Sequence, residues 1–95
     1  MQINYKIAAV ETIADVMNFV ESKNTLGSGT RWLNKFETFL QNSLTKPSAI
    51  KPCNNRAFYK LGLRCLNFND WVIAFSIEID EILIEAVVHS SRIVD

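Results

Sequence analysis

With 95 residues, the chain is long enough for one domain, which we place at 1–95. Hydrophobic residues make up 48% of it, a share that is ordinary for a globular protein and argues against disorder. Ten Lys and Arg balance ten Asp and Glu, so the zero formal charge gives no support for strong non-specific binding to nucleic acid. No apolar run approaches the ~20 residues of a membrane-spanning helix, so no membrane partner is expected.

The cysteine and histidine content predicts neither a metal site nor a cofactor. Cys53, Cys65 and His89 are too widely separated to form a typical zinc site. The first residues do not resemble a secretory signal, so we expect a cytoplasmic protein with reduced thiols. A Cys53–Cys65 disulfide is the less favoured alternative.

The first part of the chain predicts a short strand followed by a helix. Residues 3–7 alternate between apolar and polar side chains, which is typical of a strand. Thr12 is the predicted start of the helix, with Asp15 three residues later in a capping-box arrangement. The spacing of the next apolar residues predicts one buried helical face; they are Ile13, Val16, Met17 and Val20.

A second helix is predicted at residues 29–45, after a glycine-containing turn. Ser28 or Thr30 could cap its N-terminus, and Pro47 ends it. Its apolar face is wide and aromatic, and includes Trp32, Phe36 and Phe39. Two helices joined by a short turn are expected to pack as an antiparallel hairpin.

Three further strands are predicted at residues 57–68, 71–79 and 82–89, the last two as a hairpin. In the first of the hairpin strands, Trp71, Ile73 and Phe75 share an apolar face. Alternation in the second places Ile82, Ile84, Ala86 and Val88 on that face, opposite Leu83, Glu85, Val87 and His89. The opposite, mixed face of the sheet would then carry Lys60, Arg64, Glu78, Glu85 and His89.

The fold class that follows is α+β, in the order β-α-α-β-β-β. An antiparallel sheet of the last three strands would carry the helical hairpin on its apolar face, with the first strand at an edge. The mixed face would remain available for function.

Several short motifs resemble those of the RelE/ParE superfamily of bacterial toxins. They are Leu63-Arg64 on a strand, the hydrophobic run 72–75 in the hairpin, and the terminal H-x-x-R formed by His89 and Arg92. The resemblance implies a RelE/ParE-like fold and the toxin role in a type II toxin–antitoxin system. It also implies a cognate antitoxin as partner, and either mRNA on the ribosome or DNA gyrase as target.

The first functional hypothesis is growth arrest by mRNA cleavage without a metal ion, for which the resemblance implies that Arg64, His89 and Arg92 are catalytic. A histidine can serve as acid or base near neutral pH, and arginine binds phosphate. Three further cations, in and after an irregular basic loop at residues 48–55, are candidates for substrate binding: Lys51, Arg56 and Lys60. Each assignment has a structural alternative, since Arg64 could pair with Glu78 or Glu85 on the sheet and His89 could cap the strand end.

Two departures from the nuclease pattern keep other mechanisms open. The chain has no tyrosine after Tyr59, whereas several nuclease members carry one near the C-terminus. Its zero net charge also differs from the basic nucleases. A non-enzymatic gyrase inhibitor and an inactive interaction module of the same fold are therefore the alternatives. The aromatic face of the second helix is interpreted mainly as core, with antitoxin docking as the alternative.

Overall fold

The structure is a computed structural model that describes residues 2–93. Its regular elements confirm the α+β class and add one short helix to the predicted order. They are β1 (Gln2–Tyr5), α1 (Ile7–Lys23), α2 (Ser28–Ser43), α3 (Arg56–Lys60), β2 (Arg64–Phe68), β3 (Trp71–Ile77) and β4 (Glu81–His89). Short 3₁₀ helices occupy Pro47–Ala49 and Ser90–Arg92.

The four strands form one sheet in the order β1-β4-β3-β2, in which β1 runs parallel to β4 and the other pairs are antiparallel. The predicted hairpin and the edge position of the first strand are both confirmed. Helices α1 and α2 pack together on one face, and their apolar side chains meet those of the sheet in the main core. Its fully buried residues include Phe36, Leu40, Ile73, Phe75 and Ile84.

Helix α1 begins at Ile7, five residues before the predicted start at Thr12. Ala8 and Ala9 favour helix, and Ala9 is completely buried in the core, so the helical conformation extends back to Ile7. The Thr12 hydroxyl donates to the carbonyl of Ala8, within the helix, rather than capping its end.

The N-terminus of α2 is capped by a residue of α1. The Glu21 carboxylate accepts hydrogen bonds from the backbone N–H groups of Gly27 and Gly29, at 2.7 and 2.8 Å. No side chain within the turn caps α2, so the prediction that Ser28 or Thr30 would do so is wrong. Because Glu21 joins the two helices, it stabilises their packing as well as the helix end.

Residues 57–68 form a helix and a strand rather than one long strand. The Asn55 side chain accepts a hydrogen bond from Phe58 N–H at 3.0 Å, which caps the short helix α3. Gly62 then adopts a positive φ of 75° and turns the chain into β2. Lys60 therefore lies at the end of α3 and not on the sheet.

The second face of the sheet is covered in part by the segment that contains α3. Cys53 and Cys65 form a disulfide there, which corrects the prediction of two reduced thiols. Around it lies a small apolar cluster separate from the main core; its other members are Phe58, Leu63, Ala74 and Ala86.

A β-bulge in β4 changes which of its residues face the helices. Ala74 pairs with Ala86, but the next residue of β3, Phe75, pairs with Ile84. Glu85 is the extra residue, and alternation is shifted by one position after it. Ile82 and Ile84 face the core as predicted, whereas the prediction for Ala86 and Val88 is wrong, because Val87 is the buried residue beyond the bulge.

Candidate functional site

The bulge brings His89 to the side of the sheet that carries the helices. His89 lies directly opposite Trp71, and the two rings meet edge-on with centroids 5.1 Å apart. The prediction that His89 shares the mixed face with Glu85 is therefore wrong. At this end of the sheet, β4 and the following 3₁₀ turn form a cleft with α1, which we call the His89 cleft.

The His89 cleft has a volume of about 600 Å³ and a mainly apolar wall. Val16 and Val87 contribute buried apolar side chains, and Phe19 is 62% exposed on α1. Charged groups stand at its rims, with Asp15 on α1 and Arg92 on the 3₁₀ turn. His89 and Arg92, two of the three predicted catalytic residues, therefore line the same cleft.

The His89 ring is held in one orientation by the turn that follows it. Its Nδ1 accepts a hydrogen bond from the Ser91 backbone N–H at 3.2 Å and lies 2.8 Å from the Ser91 hydroxyl. A neutral ring whose Nδ1 accepts carries its proton on Nε2. His89 thus caps the 3₁₀ turn, as the structural alternative anticipated, and leaves Nε2 available as a donor.

Arg64, the third predicted catalytic residue, lies far from His89. It is opposite Phe75 in β3, four positions from Trp71, which corresponds to about 13 Å along a strand. Its guanidinium donates to the carbonyl of Ile50. The structure therefore does not bring Arg64 together with His89 and Arg92.

The two glutamates proposed as partners of Arg64 make other contacts. Glu85 forms a 2.5 Å ion pair with Lys6, at the junction of β1 and α1. The Ser76 hydroxyl lies 2.9 Å from Glu85 and 3.1 Å from Glu78. The expected pairing of Arg64 with either glutamate is absent among the contacts of residues 2–93.

The predicted substrate-binding residues are exposed and lie outside the His89 cleft. Arg56 and Lys60 begin and end α3, and Lys51 precedes Cys53 in the same segment. Residues 44–69 contain five Lys and Arg and no Asp or Glu, so this neutral chain carries its positive charge asymmetrically. That imbalance is a sequence signal for a local basic surface.

A second cleft lies between β1 and the C-terminal half of α2. Its volume is about 490 Å³, and Ile3, Tyr5, Glu37 and Gln41 are among its lining residues. Burial raises the pKa of the Tyr5 phenol, and the negative charge of Glu37 raises it further. Phenolate formation is thus disfavoured beside this edge of the sheet.

The wide aromatic face of α2 belongs mainly to the core. Phe36 is completely buried, and Trp32 stacks on it with ring centroids 5.1 Å apart. Phe68 of β2 meets both rings edge-on. Trp32 itself is half-buried.

Residues 2–93 contain neither a cluster of metal ligands nor a helix that could span a membrane. No group of three or more His, Cys, Asp or Glu side chains there could hold a metal ion. Within the same range, no helix has both the length and the apolar character needed to cross a membrane.

Comparison with known proteins adds one informative similarity, at the level of the fold. No protein-family model matches the sequence, and no curated protein matches it significantly. Among solved structures, the fold is similar to that of a chain described as the chromosomal ParDE TA system from P. aeruginosa. The TM-score is 0.75 at 11% sequence identity, covering 94% of this chain and 95% of the other. The strand order, the helical pair on one sheet face and this similarity together establish a RelE/ParE-like fold for the chain.

Proposed function

We propose that this chain is the toxin of a type II toxin–antitoxin pair. The observation that carries the proposal is the similarity to a ParDE chain over almost the whole length of both proteins. Fold alone does not specify function, so the motifs on the fold matter. Leu63-Arg64 at the start of β2 and the His89-x-x-Arg92 ending provide a second line of support.

We further propose that the toxin acts by binding DNA gyrase rather than by chemistry. RNA cleavage needs a base, an acid and cations gathered around one phosphate. Arg64 lies about 13 Å along the strand direction from His89. Its guanidinium donates a hydrogen bond to the carbonyl of Ile50. This dispersal of the candidate catalytic groups favours inhibition by docking.

Endonucleolytic cleavage of mRNA on the ribosome is the second candidate, supported by one observation. His89 and Arg92 line one cleft, and the Nε2 of His89 is available as a hydrogen-bond donor. In this mechanism His89, as the imidazolium, would give its Nε2 proton to the leaving oxygen, water would take the proton of the attacking hydroxyl, and Arg92 would stabilise the phosphate. Lys51, Arg56 and Lys60, on the segment that covers the second face of the sheet, would bind RNA phosphates outside the cleft. Either target implies a cytoplasmic site of action.

The partner in this proposal is a cognate antitoxin, and β1 offers it a place to bind. Lys6 N–H donates to the Ile84 carbonyl, so alternation directs the backbone groups of Ile3 and Tyr5 away from β4. Within the sheet described for residues 2–93, β1 has no neighbour on that side. An extended antitoxin segment could add a strand there, with its side chains entering the adjacent cleft.

Induced expression in a bacterial host tests the toxin assignment. Expression of this chain alone should arrest growth, and co-expression of the adjacent reading frame should restore it. The matched control is a soluble, folded variant of equal abundance carrying His89→Ala and Arg92→Ala. If the toxin acts by docking away from the cleft, this variant still arrests growth; if it is a nuclease, growth resumes. Normal growth with abundant, folded wild-type chain would contradict the toxin assignment.

Hydrogen exchange tests the antitoxin site. On addition of antitoxin, the amides of Ile3 and Tyr5 should become protected because they gain a neighbouring strand. The matched control is Asn67, in the opposite edge strand β2, whose exchange should not change. Protection at Asn67 alone would place the antitoxin on the other edge.

A further inference from the structure

The two cysteines of the Cys53–Cys65 disulfide differ in exposure. Cys53 is only 2% exposed and lies inside the apolar cluster on the second sheet face. Cys65 is half-buried and lines a cavity of about 300 Å³. The cavity therefore opens onto one partner of the disulfide and not onto the other.

The lining of this cavity combines polar and apolar side chains. Asn54, Asn67 and Ser90 contribute amide and hydroxyl groups, while Val72 and Ile93 contribute apolar surface. Side-chain amides can both donate to and accept from a peptide group. The cavity thus suits a small peptide-like molecule placed next to Cys65.

We propose that the Cys53–Cys65 disulfide is a thiol-exchange site at which a small peptide thiol attacks Cys65. The thiolate forms a new bond to Cys65 Sγ, and the Cys53 thiolate leaves and takes a proton from water. A second thiol then attacks the mixed disulfide, releasing an oxidised thiol dimer and the Cys65 thiol. Two electrons pass from two small thiols to the protein disulfide, and attack at the cysteine that lines the cavity sets the order of events.

Opening the disulfide loosens the segment that carries α3. The bond closes a loop with a sequence separation of 12 residues, and α3 has only five residues, too few for a stable isolated helix. Cys53 N–H donates a backbone hydrogen bond to the Leu63 carbonyl, and Cys65 N–H donates one to the Lys51 carbonyl. These hydrogen bonds do not require the disulfide, so we expect the sheet to be retained while Arg56 and Lys60 gain freedom.

The proposed cytoplasmic action gives this site a regulatory meaning, although the chemistry does not depend on that action. Disulfides in reducing compartments are usually transient and respond to the redox state. A loop that contains two of the candidate target-binding cations would then be ordered in the oxidised protein and mobile in the reduced one.

The test is the position of the mixed disulfide in the wild-type protein. The oxidised chain is exposed briefly to reduced glutathione, quenched with acid, alkylated and analysed by peptide mass spectrometry. We expect glutathione on Cys65 and the alkyl group on Cys53, with at least a tenfold preference over the reverse. Equal labelling of the two cysteines, or glutathione mainly on Cys53, would overturn the proposal.

Two single-cysteine variants and hydrogen exchange complete the test. Cys53→Ser leaves Cys65 free, and it should react with oxidised glutathione at least tenfold faster than Cys53 does in Cys65→Ser. If either variant fails to fold, the wild-type labelling still decides the order of attack. In the reduced wild type, amides of α3 should exchange at least tenfold faster while those of β3 and β4 stay protected. Unchanged exchange in α3, or loss of protection throughout the sheet, would contradict local release. None of these measurements depends on toxicity.

Discussion

His89 lies directly across from Trp71 on the neighbouring strand, and its imidazole meets the indole edge-on with 5.1 Å between ring centroids. The contact depends on the bulge at Glu85, which shifts alternation in the second half of β4. A regular β4 would direct His89 to the opposite face. One extra residue thus places the histidine in a cleft beside α1 and separates it from Glu85.

The fluorescence of Trp71 should report this contact. In a Trp32→Phe background, His89→Ala should change the emission intensity and maximum of Trp71, because the ring beside the indole is removed. Val88→Ala is the matched control, since Val88 neighbours His89 but points to the other face. Equal changes in both variants, or none with His89→Ala, would argue against the bulged register.

Glu21 should make the stability of the helical pair depend on pH. The backbone N–H groups of Gly29 and Gly27 hold the pKa of the Glu21 carboxyl below its ordinary value of 4.5. The ionised Glu21 carboxylate therefore stabilises the folded protein fully above the pKa that the group has in the unfolded chain. This stabilisation is lost as the pH falls through the lower pKa of the folded state. In urea unfolding, the free energy of unfolding should fall less between pH 7 and pH 3 in Glu21→Gln than in the wild type. In Glu11→Gln, on the exposed side of α1, it should fall as much as in the wild type.

Gly29 should not tolerate a larger side chain. A Cβ atom at this position would lie 2.6 Å from the Met17 carbonyl oxygen, which is backbone and cannot move away freely. Gly29→Ala should therefore force α1 and α2 apart and lower the free energy of unfolding by about 1–3 kcal/mol. Thr30→Ala, one residue later and exposed, should change it by less than about 0.5 kcal/mol. Comparable stability of the two variants would contradict the close helix contact.

Arg64 should contribute to stability because its guanidinium donates a hydrogen bond to the Ile50 carbonyl. Arg64→Ala should lower the free energy of unfolding by about 1–2 kcal/mol, typical of a partly exposed charged hydrogen bond. Arg56→Ala is the control, since that side chain is exposed on α3. Denaturant unfolding of both variants measures the difference. An Arg64→Ala variant with the same free energy of unfolding as the wild type would favour a purely functional role for Arg64.

Hydrophobic periodicity was sufficient to predict the α+β class, the helical pair and the terminal hairpin. In β3 the alternation of Trp71, Ile73 and Phe75 continues without interruption, so the pattern in the sequence matches the sheet. The same pattern failed in β4 because Glu85 is bulged, and both possible registers beyond it bury apolar residues. Ala86 and Val87 are adjacent, so their hydrophobicity alone could not decide which faces the helices.

The residues missed by sequence analysis depend on contacts between distant parts of the chain. Glu21 looked like a polar residue at a helix end, but it caps the following helix across the turn. Ser91 orients His89 only because a 3₁₀ turn follows β4. Cys53 and Cys65 pair because α3 reverses the chain between them, and that helix was read as part of a strand.

The most direct test of the proposed mode of action is a gyrase supercoiling assay with purified, folded protein. If the chain acts on gyrase, the wild-type protein inhibits supercoiling of relaxed plasmid, and His89→Ala combined with Arg92→Ala leaves this inhibition in place. Messenger RNA translated in the presence of the chain should remain intact. Normal supercoiling, together with mRNA cleavage that the double variant abolishes, would contradict gyrase inhibition and identify the chain as a nuclease.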